Sequence, residues 1–241
     1  MKSRVRVIWA VVLCAVFYAL AWGVGSIKTP GEWLGPDAWV SESVFTHLAM
    51  LILSLLLIRA LSGGDFRAYG FRGVSLRVIP RVMLTGAVTV IAASMVPMIL
   101  TVAIAGPKVF GEGMGPIKGM TSLQIFTSVF ILASIAEEVL FRGLIQSWLA
   151  PLSAHGIRLP RVRLSVPVLL GAVAFGFSHL ILIGSTPGIL VAEIVFATTV
   201  LGIVAGYFRE KTGSLIPAIV VHMVFNIPGV LSKLAESSVG S

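Results

Sequence analysis

Two adjacent carboxylates and an arginine, Glu137, Glu138 and Arg142, stand in "SIAEEVLFRG", inside one of the most apolar stretches of this chain. Further along, "FGFSHL" carries His179, "VAEIV" carries Glu193, and "VVHMVFN" carries His222 and Asn226; His47 is a weaker fifth case. Carboxylates and imidazoles are the side chains that move protons in catalysis, and amide and imidazole N–H groups stabilise oxyanions. Helical spacing sorts the first group. Glu138 and Arg142 are i and i+4 with the acid N-terminal, the favourable order for an intrahelical ion pair. Glu137 is rotated about 100° away on a helix of 3.6 residues per turn and has no such neighbour. A structural salt bridge accounts for Glu138 and Arg142 and leaves Glu137 unexplained, so Glu137 is the carboxylate available for chemistry. His222 and Asn226 are also i and i+4 and project from one face. That pair reads equally well as glue between helices or as part of a site.

The elements that hold these residues are membrane helices. Of 241 residues, 57% are apolar and only 12% charged, with a mean hydropathy of +1.01, a composition outside that of soluble domains. The expected fold class is all-α, a polytopic transmembrane bundle of about seven helices (six to eight). The apolar runs are Val5 to Val24, Ser43 to Leu61, Pro80 to Ala105, Ser122 to Ala150, Val166 to Ile183, Gly188 to Phe208 and Ser214 to Leu231. The basic start "MKSRVR" resembles a signal peptide, but its apolar run of about 18 residues suits a retained signal-anchor helix. Cleavage around Ala19 to Ala21 is the alternative.

The net charge of +8 does not point to nucleic acid, because the basic residues flank apolar segments and form no patch with interleaved aromatics. With a cytoplasmic N-terminus, every arginine except Arg142 falls inside, and Lys28, Lys108, Lys118 and Lys233 fall outside, as the positive-inside rule requires. Trp9 and Trp148 near inner ends and Trp22 near an outer end are expected as interfacial anchors. Cys14 is the single cysteine and reads as a small buried hydrophobe, which leaves no intramolecular disulfide and no cysteine-based metal cluster. Gly202 and Gly206, and Ala172 and Gly176, are small residues at four-residue spacing that allow close helix approach inside the bundle. "SIKTPGEWLGPDAWV" and "AGPKVFGEGMGPIKGM" read as connecting loops. The expected organisation is N-terminal helices without a catalytic motif over 1–120, a catalytic core over 121–232 and a tail over 233–241.

Depth links the polar groups. At 1.5 Å per residue from the inner ends, Glu137, His179 and Asn226 each lie about 20 Å in and His222 about 13 Å. An ionisable group at such depth needs a partner or a watery cavity, and one shared cavity is more economical than three. Glu193, about 8 Å below the outer surface, and His47, near the outer end of its helix, are expected in structural or interfacial places rather than in catalysis.

"EEVLFR", "FGFSH" and "HMVFN", in that order on successive membrane helices, resemble the three motifs of the CPBP family of intramembrane proteases. That family includes type II CAAX prenyl endopeptidases and Abi-type bacteriocin-processing and immunity proteins. The resemblance covers roughly Thr121 to Gly229. It implies that Glu137 is the water-activating glutamate, with Glu138 and Arg142 completing the first motif. It implies that His179, four residues after Phe175, is the histidine of the second motif, and that His222 and Asn226 form the third, associated with the oxyanion. Hydrolysing a peptide bond needs a base for water, an oxyanion donor and a proton for the leaving amine. Glu137 can accept a proton from water and return it to the leaving amine, while His179 orients or deprotonates the water and His222 and Asn226 donate to the oxyanion.

Cys14 is remote, and Ser134 and Ser178 lack a triad-like context, so direct attack by water is the expected route. Glu137, His179 and His222 are also a possible ligand set for a divalent metal such as zinc, with a position left for water, although no His-Glu-x-x-His pair is present. The expected partners are the lipid bilayer and a membrane-anchored protein or peptide: a C-terminal sorting helix, a peptide precursor or a CAAX-type tail. The expected location is a prokaryotic plasma membrane. A proton-coupled transporter and a non-catalytic peptide-binding or immunity scaffold are the competing readings; against transport, no inverted repeat is visible.

Overall fold

The structure is a computed structural model that describes residues 3–25, 41, 43–112 and 119–239. The first predicted loop (26–40), Lys2, Lys28, Lys118 and the middle of the glycine-rich loop lie outside the described residues, as does the side chain of Trp22.

Seven principal helices run through the described residues: α1 Ser3–Gly25, α2 Ser43–Ser62, α3 Ile79–Ala105, α4 Ser122–Trp148, α5 Val166–Ser178, α6 Gly188–Thr212 and α7 Ile216–Val239. Five of them, α2, α3, α4, α6 and α7, are long and apolar enough to cross a membrane, and α5 with its following turn forms a shorter apolar helix, Val166–Leu182. This is an all-α helical bundle of an integral membrane protein. Two three-residue strands, β1 Gly156–Arg158 and β2 Arg163–Ser165, pair antiparallel in the loop before α5. The last helix continues to Val239, into the segment read from sequence as a tail.

The helices bury stripes, with large apolar residues left on the outside. On α3 the buried positions are Val82, Gly86, Val90, Ala93, Pro97 and Thr101, the i, i+4, i+7 spacing of one helix face. Its outer face exposes Leu84, Val88, Ile91, Val96 and Ile99. Small residues inward and large aliphatics outward is the pattern of a helix whose solvent is lipid. In contrast, α4 is enclosed. Every residue from Val139 to Ile145 is buried, as expected for a helix at the centre of a bundle. Thr121 and Gln124 close its start with a reciprocal capping box, which satisfies two otherwise unpaired N–H groups. Its winding is wide, with i→i+5 hydrogen bonds, over Ile125–Ala133 and Val139–Ile145, and normal over Ser134–Glu138 between them. The two glutamates thus sit where the winding changes, a local irregularity often found at functional sites.

The small-residue spacings of α5 and α6 face each other. A Cβ on Gly202 would lie 2.8 Å from the Cα of Ala172 and 3.0 Å from an Arg142 nitrogen, and one on Gly206 would meet Gln146 Oε1 and Val168. Backbone cannot yield as a flexible side chain can, so overpacking here should destabilise by about 1–3 kcal/mol. Gly202→Val is expected to lower the unfolding temperature in detergent and to displace Arg142. Gly188→Ala, at a position with nothing within 4 Å, is the control. An unchanged melting curve for Gly202→Val would remove this packing argument.

The arginine-bearing ends are tied together. Trp148 Nε1–H donates to Arg6 O at 3.2 Å, and the Arg6 guanidinium donates to Trp148 O at 3.3 Å. Trp148, expected as an interfacial anchor, is therefore a tie between α1 and α4. Arg209 donates to Ser147 Oγ at 3.2 Å, and Gln146 Nε2–H donates to Gly206 O at 3.0 Å.

Candidate active site

The site is built from α4 outward. Glu138 and Arg142 are 0% and 1% exposed, and Arg142 Nη1 lies 3.0 Å from Glu138 Oε1. The Arg142 guanidinium also stands over the Phe175 ring at 4.5 Å, a cation–π contact that offsets part of the cost of burying its charge. The same carboxylate oxygen, Glu138 Oε1, is 2.9 Å from His222 Nδ1. A carboxylate accepts, so the imidazole donates through Nδ1–H. Glu138 thereby holds both an arginine of its own helix and a histidine of α7.

His222 Nε2 is then turned toward Glu137, 3.7 Å from Oε2. On the other side of that carboxylate, His47 Nε2 lies 3.6 Å from Oε1. His47 is fixed by a hydrogen bond from Nδ1–H to the carbonyl of Ser43 at 2.8 Å, in which the carbonyl can only accept. His179 repeats the pattern: its Nδ1 is 3.0 Å from Phe175 O, so Nε2 carries the lone pair of the neutral ring. His179 is within electrostatic reach of both Glu137 and His222. Phe175 is the hub, packing edge-on to Phe141 at 5.0 Å, His179 at 5.1 Å and His222 at 5.5 Å. Asn226 lies near the start of the Ser134–Glu138 segment, where its Nδ2 donates to Ser134 Oγ at 3.1 Å and Val129 O at 3.4 Å.

The structure therefore gathers Glu137, Glu138, Arg142, His179 and His222 around one point, with Asn226 a turn of α4 away. Residues 119–228 match the family model described as type II CAAX prenyl endopeptidase Rce1-like. These residues are a domain of the Rce1-like family. The chain is accordingly a membrane-embedded endopeptidase, and all six residues of the three motifs fall inside the Rce1-like span. No curated protein and no solved structure matches the chain.

His47 lies outside the Rce1-like span, and its sequence reading as a structural or interfacial residue needs correction: it faces Glu137. Depth counting failed because it starts every helix at one level. The N–H of Ser41 donates to Ser128 Oγ at 3.0 Å, which docks the start of α2 well inside α4 and carries His47 down to the glutamate. Glu193 accepts from Thr101 Oγ1–H on α3 at 3.2 Å. As to the metal reading, no group of three or more His, Cys, Asp or Glu side chains among the described residues is arranged to hold an ion. Glu137, His179 and His222 do not form that ligand set as they stand.

Proposed function

We propose that the chain hydrolyses a peptide bond of a membrane-anchored protein or peptide with water activated by Glu137. The observation that carries this reading is the setting of Glu137. It is a carboxylate 12% exposed, flanked by two imidazole nitrogens at 3.6 and 3.7 Å, while the neighbouring glutamate takes the arginine. Glu137 accepts a proton as the water oxygen attacks the carbonyl carbon, and gives it to the amine nitrogen as the C–N bond breaks. His179, with Nδ1–H committed to Phe175 O, presents Nε2 as an acceptor that orients the water. His222, held by Glu138 at Nδ1, has Nε2 on the Glu137 side, where an N–H donates to the oxyanion. Asn226 joins it by exchanging its long bond to Val129 O for one to the oxyanion. Glu138 and Arg142 hold His222 and the helix in place.

An apolar cleft of about 680 Å³ between α1 and α5, lined by residues including Val11, Cys14, Leu170, Phe177 and Ser178, reaches the turn that bears His179. It favours a substrate that approaches from lipid. The substrate is a C-terminal sorting helix, a peptide precursor or a CAAX-type tail, the last being the class in the family description. The chain sits in a prokaryotic plasma membrane, and the gathering of arginine-bearing helix ends supports a cytoplasmic N-terminus.

The test compares the membrane proteomes of cells carrying wild type and Glu137→Gln. Precursors with uncleaved termini are expected in the mutant. A retained processing pattern would favour a scaffold, and altered proton flux in liposomes would favour a transporter. Exhaustive chelation of the purified protein, with metal content measured on the same sample, is expected to leave cleavage unchanged. Loss of cleavage that a divalent ion restores would overturn direct activation by Glu137.

A further inference from the structure

Glu137 Oε1 faces a residue that no motif contains. His47 belongs to α2, outside the matched residues 119–228, yet its Nε2 is 3.6 Å from that oxygen. Its side chain is 15% exposed, so it stands beside the glutamate in the interior and not at a helix end in lipid.

The placement is built, not incidental. Ser41 N–H is held by Ser128 Oγ of α4 at 3.0 Å, the Ser41 and Ser43 hydroxyls are 2.6 Å apart, and Ser43 O accepts from His47 Nδ1–H at 2.8 Å. This chain of contacts begins on the helix that carries Glu137 and ends at the ring facing it. Because Nδ1–H is committed to a carbonyl, the ring nitrogen left to face the carboxylate is Nε2, at an ion-pair distance of 3.6 Å from Oε1. His222 meets the other oxygen from α7. A carboxylate gripped on both oxygens keeps one rotamer, and the gain in rate from such preorganisation is lost when either grip is removed.

We infer that His47 is a positioning residue for Glu137, so that the helices before the Rce1-like domain complete the active site. This rests on Glu137 being the water-activating group.

Two substitutions separate the atoms of the ring. Asparagine places its amide nitrogen where imidazole has Nδ1, which keeps the bond to Ser43 O and loses the contact with Glu137. Glutamine places its amide nitrogen where imidazole has Nε2, which does the reverse. The full-length protein in liposomes is assayed on the precursor that accumulates in Glu137→Gln cells, and unfolding temperatures are measured for each variant. His47→Ala and His47→Asn are expected to lower kcat by about 10- to 100-fold with KM within about twofold of wild type, and His47→Gln to stay within about threefold, by analogy with other lost positioning contacts. The inference stands if Gln exceeds Asn at least about tenfold in kcat, the size of effect one positioning contact carries. It is overturned if Asn equals or exceeds Gln, if all variants match wild type, or if the losses follow unfolding temperature. Glu137→Gln is run beside them. Activity in that variant would remove the Glu137 reading itself, whereas its inactivity without the Gln-over-Asn pattern would remove only the role of His47.

Discussion

Glu137→Gln is expected to abolish cleavage while leaving the fold intact. The amide has the shape of the carboxylate, and its oxygen and nitrogen can each face one of the imidazole Nε2 atoms that flank it at 3.6 and 3.7 Å, so packing hardly changes. It cannot accept a proton from water. Removal of a general base typically costs about 10²- to 10⁴-fold in rate, and here the same group also returns the proton to the amine, which puts the expectation at the upper end. Single-turnover kinetics in liposomes and thermal unfolding in detergent, on the same preparation, check both halves. A mutant that cleaves within about tenfold of wild type, below any general-base contribution, would show that the water is activated elsewhere.

The second large effect is expected from Glu138. With Glu138 and Arg142 at 0% and 1% exposure and 3.0 Å apart, removing the carboxylate alone takes from a buried guanidinium the carboxylate it pairs with. Breaking a buried pair in this way costs about 3–5 kcal/mol, whereas replacing both partners by apolar residues of similar volume is often neutral. Glu138→Leu is therefore expected to unfold readily, and Glu138→Leu with Arg142→Met to recover most of the lost stability. Activity should not return with it, because His222 Nδ1–H, now 2.9 Å from Glu138 Oε1, has lost its acceptor and the ring its orientation. Recovery of both stability and full activity in the double mutant would reduce Glu138 to a charge partner of Arg142. Recovery of neither would show that the guanidinium does more than neutralise Glu138.

Spacing alone distinguished the two glutamates. The i, i+4 relation pairs Glu138 with Arg142 in any continuous helix, and the tertiary structure leaves that pair in place although the winding of α4 changes just beyond Glu138. Composition and run length likewise determined the helical membrane class, since continuous apolar runs of about 20 residues satisfy their backbone in lipid as helices, whereas barrel strands alternate apolar and polar residues. The small-residue spacings of α5 and α6 announced close approach, and the structure supplied which surface each would meet.

Other features depended on contacts between distant segments, about which a linear pattern holds no information. His222 reads as one polar residue on a helix face, and only the fold shows its two nitrogens divided between Glu138 and Glu137. His47 is the sharpest case. Helix rise counted from the end of α2 puts it near the membrane surface, but the hydrogen bond from Ser41 to Ser128 sets that end deeper in the bundle. Local periodicity determines which residues share a face. The level at which a helix docks against its neighbours is a property of packing between helices, and it decided which histidines reach the glutamate.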